Sequence, residues 1–242
     1  MPRFFITASD VLKGIVQLDA KTAEHLRVLR IRQGETFIVC DGQGNDYVCR
    51  LTGRDDGAVE ILERRMTLGE PTVDVTVLAA FSKGDRMETV IQKSVELGAK
   101  EIVLFPSARC VARPAEPDIN KKHIRWQAIA HEAAKQSDRG IVPKVRINLA
   151  FDAAVYYALK STLPLLLYEN ERETSLRDAL EARPEAGSIS VFSGPEGGFE
   201  PAEAAFAMES GLLSVSLGPR VLRCETAPIC ALSAIMFFTG NM

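Results

Sequence analysis

Ser216–Phe238 reads SLGPRVLRCETAPICALSAIMFF, and this stretch decides the fold. A short apolar segment ends at Leu217 and gives way to Gly218. Arg220, Arg223, Glu225 and Thr226 follow, and the chain then runs almost wholly apolar from Ala227 to Phe238. Two arginines and a carboxylate therefore sit at the mouth of what reads as a buried helix. Burying unpaired charge is costly, so these groups must be paired, solvated or turned toward a ligand.

Working outward, the chain after Pro71 alternates strand-like and helix-like segments. DVTVLAAF, EIVLF, LPLLLYE, SISVFSG and LLSVSLG are strand runs. Between the first two, Asp85–Leu97 places Met87, Val90, Ile91, Ser94 and Val95 on one helical face, and Gly98 supplies a left-handed stop. Near-continuous apolar strands interleaved with helices imply a parallel sheet covered on both faces, an α/β domain.

Ligands of open parallel sheets settle beyond the C-terminal strand ends. Three such ends here are polar or glycine-rich: LLLYENE with Glu169, FSGPEGGFEPAE with Gly194 to Gly198, and LGPRVLRCETA. GPEGG alone could be a tight strand-to-helix turn leading into a helix begun by Pro201. It lacks the GK[ST] ending of a phosphate-binding loop and the GxGxxG of a nicotinamide site. Three such ends together point to a ligand cradle.

The first 70 or so residues carry a different pattern. Phe4–Ile6, Ile15–Leu18, Thr36–Cys40, Tyr47–Thr52 and Val59–Leu62 are short β-type runs, and only Ala20 to about Arg30 has helical spacing. DGQGNDY, Asp41–Tyr47, reads as a hairpin loop. These features predict a small β-barrel over residues 1–70 and an α/β domain over 71–242.

Composition is that of an ordinary globular chain: 242 residues, 46% hydrophobic and 25% charged. No segment reads as a signal peptide, and the longest apolar run is too short and interrupted to span a bilayer. A cytoplasmic location with no membrane partner is the expectation. The five cysteines form no CxxC pair and are expected to be reduced thiols. His25, His123 and His131 show no metal-ligand spacing, so no metal is expected. Net charge is −3, yet Ser107–Arg146 holds nine basic against four acidic residues. HLRVLRIRQG adds His25, Arg27, Arg30 and Arg32; such clusters suit phosphate backbones, although a solvated face is an equal reading.

SKGDRMETVIQKSVELG, HEAAKQSDRGIVP, SGPEGGF and LGPRVLRCETA occur in the order seen in the 16S ribosomal RNA uridine N3-methyltransferases, the RsmE family of the SPOUT superfamily. HLRVLRIRQGE and DGQG resemble that family's N-terminal region, so the resemblance covers nearly the whole chain. It implies a SPOUT-type knotted parallel sheet covered by helices, with a C-terminal trefoil knot, preceded by a small PUA-like β-barrel. It also implies a homodimer, S-adenosylmethionine as methyl donor, and N3 of a uridine in 16S ribosomal RNA, taken within the assembled small ribosomal subunit, as target. Cys224 stands where Thr or Ser is common in the family, and Pro228 where a small residue is usual.

The resemblance further implies a cofactor site drawn from Leu167, Glu169, Gly194, Pro195, Glu196, Gly197, Leu217, Gly218, Leu222, Arg223, Thr226 and Ala227. Catalysis falls to Arg223 and Glu225. A fixed guanidinium beside the uracil oxygens would favour the N3 anion; the alternative for Arg223 is a salt bridge to Glu225 or Glu196. Glu225 and a water are both candidates for the proton acceptor. RNA contacts are expected from Arg3, His25, Arg27, Arg30, Arg32, Lys83, Arg86, Lys93, Arg109, Gln136 and Arg139. Glu132, Gln136 and Arg139 at i, i+4 and i+7 would share one helical stripe. Two rival readings stand beside this one: a non-catalytic RNA-binding assembly factor of the same fold, and a nucleotide-binding enzyme using GPEGG to hold phosphate.

Overall fold

The structure, a computed structural model, describes residues 1–12, 14–52, 57–147 and 150–242. The chain divides into two compact units. One comprises Met1–Glu70 and Ala134–Val142, the other Pro71–Ala133 and Pro143–Met242.

In the first unit β1 (Arg3–Phe5), β2 (Val11–Leu12), β3 (Ile15–Gln17), β4 (Thr36–Cys40), β5 (Asn45–Leu51) and β6 (Ala58–Met66) form one sheet in the order β1-β4-β5-β6-β3-β2. The α-helix α1 (Ala20–Val28) starts where the Asp19 carboxylate accepts from the Thr22 amide at 2.7 Å. Phe4, Val16, Leu26, Phe37, Val39, Tyr47, Cys49 and Val59 meet in one core. Side chains from five strands reaching a single interior require the sheet to curl, as a barrel-like wall does. The hairpin loop is shorter than the sequence suggested. Asn45 and Asp46 already belong to β5, because Asp46 is pulled inward by Arg3.

That pairing explains why a charged residue can be buried here. Arg3 forks onto Asp46 with bonds of 2.8 and 2.9 Å, and Thr67 donates to the same carboxylate at 2.6 Å. Glu70 fastens the Ala134–Val142 segment, accepting from Arg139 at 2.7 Å and from the amides of Gly140 and Ile141. Arg3 and Arg139 thus have internal partners, with side chains only 6% and 3% exposed. The stripe anticipated for Glu132, Gln136 and Arg139 does not extend to Arg139. The helix ends at Gln136, Asp138 turns left-handed at φ 56°, and the Arg139 amide closes back on the Ala134 carbonyl.

The second unit holds β7 (Asp74–Ala80), α2 (Arg86–Glu96), β8 (Glu101–Phe105), α3 (Glu116–Gln136), β9 (Lys144–Ile147), α4 (Phe151–Ala158), β10 (Leu163–Leu167), α5 (Leu176–Glu181), β11 (Ser188–Ser193), α6 (Pro201–Ser210), β12 (Leu213–Val215) and α7 (Thr226–Phe238). All six strands are parallel, in the order β12-β10-β11-β7-β8-β9. Met87, Val90, Ile91, Ser94 and Val95 are the buried face of α2, as their spacing predicts. The core on the α4/α6 side includes Phe105, Phe192 and Phe199, with the first two rings stacked at 4.3 Å. Each such ring contributes about 1.5–3 kcal/mol by leaving water. α7 is apolar all round, but it is buried on one face only. Pro228, Ala231, Leu232, Ile235 and Met236 pack inward, against α2, β7 and β11 among others, while Cys230, Ala234 and Phe237 are exposed. The C-terminal ends of β10, β11 and β12 are therefore side by side.

Candidate active site

Those three ends open onto one cavity of about 550 Å³ in the second unit. It is lined by Leu167–Glu169 and Arg172 after β10, Ser193–Gly198 after β11, and Val215–Glu225 with Ala227 after β12; Arg86 of α2 completes it. Its size falls within the range of small-molecule sites, about 300–1,000 Å³. Of the anticipated cofactor residues, only Thr226 lies outside the lining. Its amide is used to start α7, donating to the Arg223 carbonyl at 2.8 Å.

Glycine is a steric requirement at the junction of two of these loops. Gly198 has φ 67°, and a Cβ there would overlap the Glu169 carboxylate. Gly197 is backed by Arg109, which donates to its carbonyl at 3.0 Å, and Gly194 is backed by the Phe199 ring. Behind the second loop, Glu203 of α6 accepts from Ser107 Oγ at 2.9 Å, from the Ala108 amide at 2.7 Å and from the Glu200 amide at 3.0 Å. The loop after β12 is different in kind. Among the described residues, the amides of Leu217, Arg220, Val221 and Leu222 have no intramolecular acceptor, and Gly218 donates only weakly to Ser216 Oγ at 3.2 Å. These residues nonetheless line a cavity. Backbone donors left free beside an enclosed space are the means by which a flat, polar-edged ligand is held.

Charge in the cavity is paired across elements. Arg86 donates to Glu196 at 2.7 Å and lies 3.6 Å from Glu225, and the Lys83 amide also donates to Glu196 at 2.7 Å. Burial raises the Glu196 carboxyl, but hydrogen bonds from the Lys83 amide, its own amide and Arg86 outweigh this and hold it below the usual carboxylate range. At Glu225 burial is likewise outweighed, here by its own amide, the Cys224 thiol and the charges of Arg86 and Arg223. The Cys224 thiol is pushed up to about 12, chiefly by burial and then by its bond to Glu225. Arg223 is exposed on the cavity wall, and among the described residues it has no carboxylate within ion-pair distance.

Lys83 and Arg109 stand behind the cavity wall, and the other anticipated residues do not line it. His25, Arg27, Arg30 and Arg32 are exposed in the first unit, in and just after α1. Lys83 and Gln136 are exposed, and Lys93 pairs with Glu96 on its own helix at 2.8 Å. The sequence reading left out Tyr168, Arg172, Ser193, Gly198, Val215, Ser216, Pro219, Arg220, Val221 and Cys224 as lining residues. All lie within or beside the three quoted strand ends, so the signal was the whole loop rather than its charged members. Among the described residues no group of three metal-ligating side chains comes together, and no helix is long and apolar enough to cross a membrane.

Residues 69–236 match the family described as RNA methyltransferase domain, and residues 18–63 match the RNA methyltransferase PUA domain. The ribosomal RNA small subunit methyltransferase E of Bacillus subtilis is 33% identical over 220 residues, covering 88% of this chain and 86% of that protein. Its namesake from Synechocystis is 33% identical over 235 residues, covering 96% of this chain and 76% of that protein. The crystal structure of the Neisseria gonorrhoeae enzyme of that name, bound to S-adenosyl methionine, is 35% identical with a TM-score of 0.83 and covers 98% of this chain and 97% of that one. An all-parallel sheet with its cavity at three adjacent strand ends, a curled N-terminal unit and these matches converge: the chain belongs to the ribosomal RNA small subunit methyltransferase E family.

Proposed function

We propose that the chain is an S-adenosylmethionine-dependent methyltransferase that methylates N3 of a uridine in 16S ribosomal RNA. The observation carrying this reading is the loop Leu217–Leu222, whose unused amides line a cavity shared with the glycine loop after β11. The residues present suit such a cofactor. Leu167, Val215, Leu217 and Leu222 offer apolar surface, the loop amides offer donors, and Glu169, Glu196 and Glu225 offer negative charge to a cation. Bound there, S-adenosylmethionine supplies a methyl group on a positively charged sulfur.

The protein's own contribution is to hold the base and favour its reactive form. Uracil N3 must lose a proton, and its anion spreads charge over two carbonyl oxygens. Arg223, with no carboxylate within ion-pair distance among the described residues, stabilises that charge as an oxyanion hole does. Glu225, whose carboxylate lines the cavity, and a water are the two candidate acceptors for this proton. Glu225 also pairs with Arg86 at 3.6 Å.

RNA phosphates are held by His25, Arg27, Arg30 and Arg32 in the first unit, with Lys83 and Arg109 in the second; such contacts position the RNA without reading its sequence. The RNA is taken within the assembled small subunit, in the cytoplasm. Support for a homodimer is the apolar tail of α7, where Phe237 is 77% exposed. Support for a knotted C-terminal segment is that α7 follows the edge strand β12 yet returns to pack on β7 and β11.

Titration calorimetry with S-adenosylmethionine and, separately, with ATP tests the cofactor. Heat with the first and none with the second is expected. The reverse would favour a phosphate-binding enzyme.

A further inference from the structure

We propose that Arg86 is a positioning residue for methyl transfer, holding Glu196 and Glu225 so that the Arg223 guanidinium stays free for the substrate. This rests on the methyl-transfer reading and on Arg223 as its catalytic residue.

The geometry sets Arg86 apart from an RNA-contacting arginine. It is the first residue of α2, and its guanidinium reaches two other elements at once. Nη1 donates to Glu196 Oε1 at 2.7 Å on the loop after β11, and Nε lies 3.6 Å from Glu225 Oε2 just before α7. Nη1 is therefore occupied by one carboxylate of the cavity wall, and Nε stands within ion-pair distance of a second. A guanidinium already bridging two carboxylates has little charge left for a phosphate.

The consequence for Arg223 follows from charge balance. Glu225 lies close enough to Arg223 for that arginine to help acidify it. Without Arg86, Glu225 would lose its nearest cation, and Arg223, two residues back in the chain, is the replacement at hand. A captured Arg223 would point at Glu225 rather than at the base. Arg86 thus keeps the opposing salt bridge, the one the sequence alone left open, from forming.

The test compares wild type, Arg86→Ala, Arg86→Lys, Glu225→Gln and the double variant Arg86→Ala/Glu225→Gln. Methyl transfer to small-subunit particles, S-adenosylmethionine affinity by calorimetry and RNA affinity against salt are measured for each, with thermal midpoints to verify folding. Arg86→Ala is expected to lower kcat by about a hundredfold, the scale of a misplaced catalytic group, with KM for the particle within about twofold. Arg86→Lys recovers part of the loss. The double variant, which removes the carboxylate that captures Arg223, turns over at least about tenfold faster than Arg86→Ala. Two results overturn the assignment. One is a double variant no faster than Arg86→Ala while folded and cofactor-binding. The other is an Arg86→Ala enzyme with unchanged kcat, a raised KM and a salt slope smaller by about one, the signature of a lost phosphate contact. A wild type that binds no S-adenosylmethionine would overturn both this assignment and the reading beneath it.

Discussion

Gly198 and Glu169 meet so closely that no side chain fits between them, since a Cβ on Gly198 would overlap the Glu169 carboxylate. The contact joins the loops after β10 and β11 across the cavity wall. Gly198→Ala must therefore move Glu169, and at φ 67° the alanine would also be strained by about 1 kcal/mol or more. Calorimetry is expected to show S-adenosylmethionine binding weakened at least about tenfold. Gly187→Ala, where a Cβ meets nothing within 4 Å and φ is ordinary, is the control and should bind as wild type does.

Arg223 lines the cavity without a carboxylate partner among the described residues. Removing a group that stabilises developing negative charge costs about a hundredfold to a thousandfold in turnover. Arg223→Ala should show that loss in kcat, with cofactor affinity within a few-fold of wild type. Full turnover in this variant would transfer the role to another residue.

Stability should fall in acid, with the sign set by the paired carboxylates. Burial alone would raise Asp46, but its bonds from Thr67 and Arg3 and the charge of Arg3 hold it below the usual range. Glu196 and Glu225 are lowered too. The unfolded chain therefore binds more protons than the folded one through the acid range. This stabilisation is complete above an ordinary carboxylate pKa of about 4 and is lost as pH falls through the folded values. Asp46→Asn removes the buried carboxylate that Arg3 forks onto and leaves it only the exposed Asp138, 3.3 Å from its Nε, at a cost of about 3 kcal/mol at neutral pH. Denaturant titrations of the two proteins at neutral and acid pH check both: the gap between them should narrow in acid.

The thiols should separate by reactivity. Cys40 and Cys49 are buried and pushed up to about 12, the half-buried Cys224 is pushed up to about 12 as well, and Cys230 is exposed. Alkylation at neutral pH with mass mapping is expected to mark Cys230 first and to leave Cys40 and Cys49 unmodified until the protein unfolds.

What could be read in the chain and what could not divide along a physical line. Local periodicity carried α2 and the strands EIVLF and SISVFSG, because each hides one face or both from water and its apolar residues say so. β9, KVRI, was missed, since a short edge strand with two exposed basic residues has no such pattern. The left-handed Asp138 that sends Arg139 onto Glu70 was also unreadable, because its cause lies 69 residues away. The cavity loops were visible as loops. Their charge pairing was not: Arg223 and Glu225 are neighbours in sequence, so a bridge between them was the natural alternative. It is Arg86, from a helix early in the domain, that takes Glu196 and Glu225.

The most direct measurement is to incubate the protein and S-adenosylmethionine with small-subunit particles and map the modified RNA by mass spectrometry. One methyl group on N3 of a single uridine in the 16S RNA, absent when Arg223 is replaced by alanine, is the predicted result. RNA left unmethylated by a folded, cofactor-binding protein, or methylated on a ribose or a ring carbon, would contradict the account.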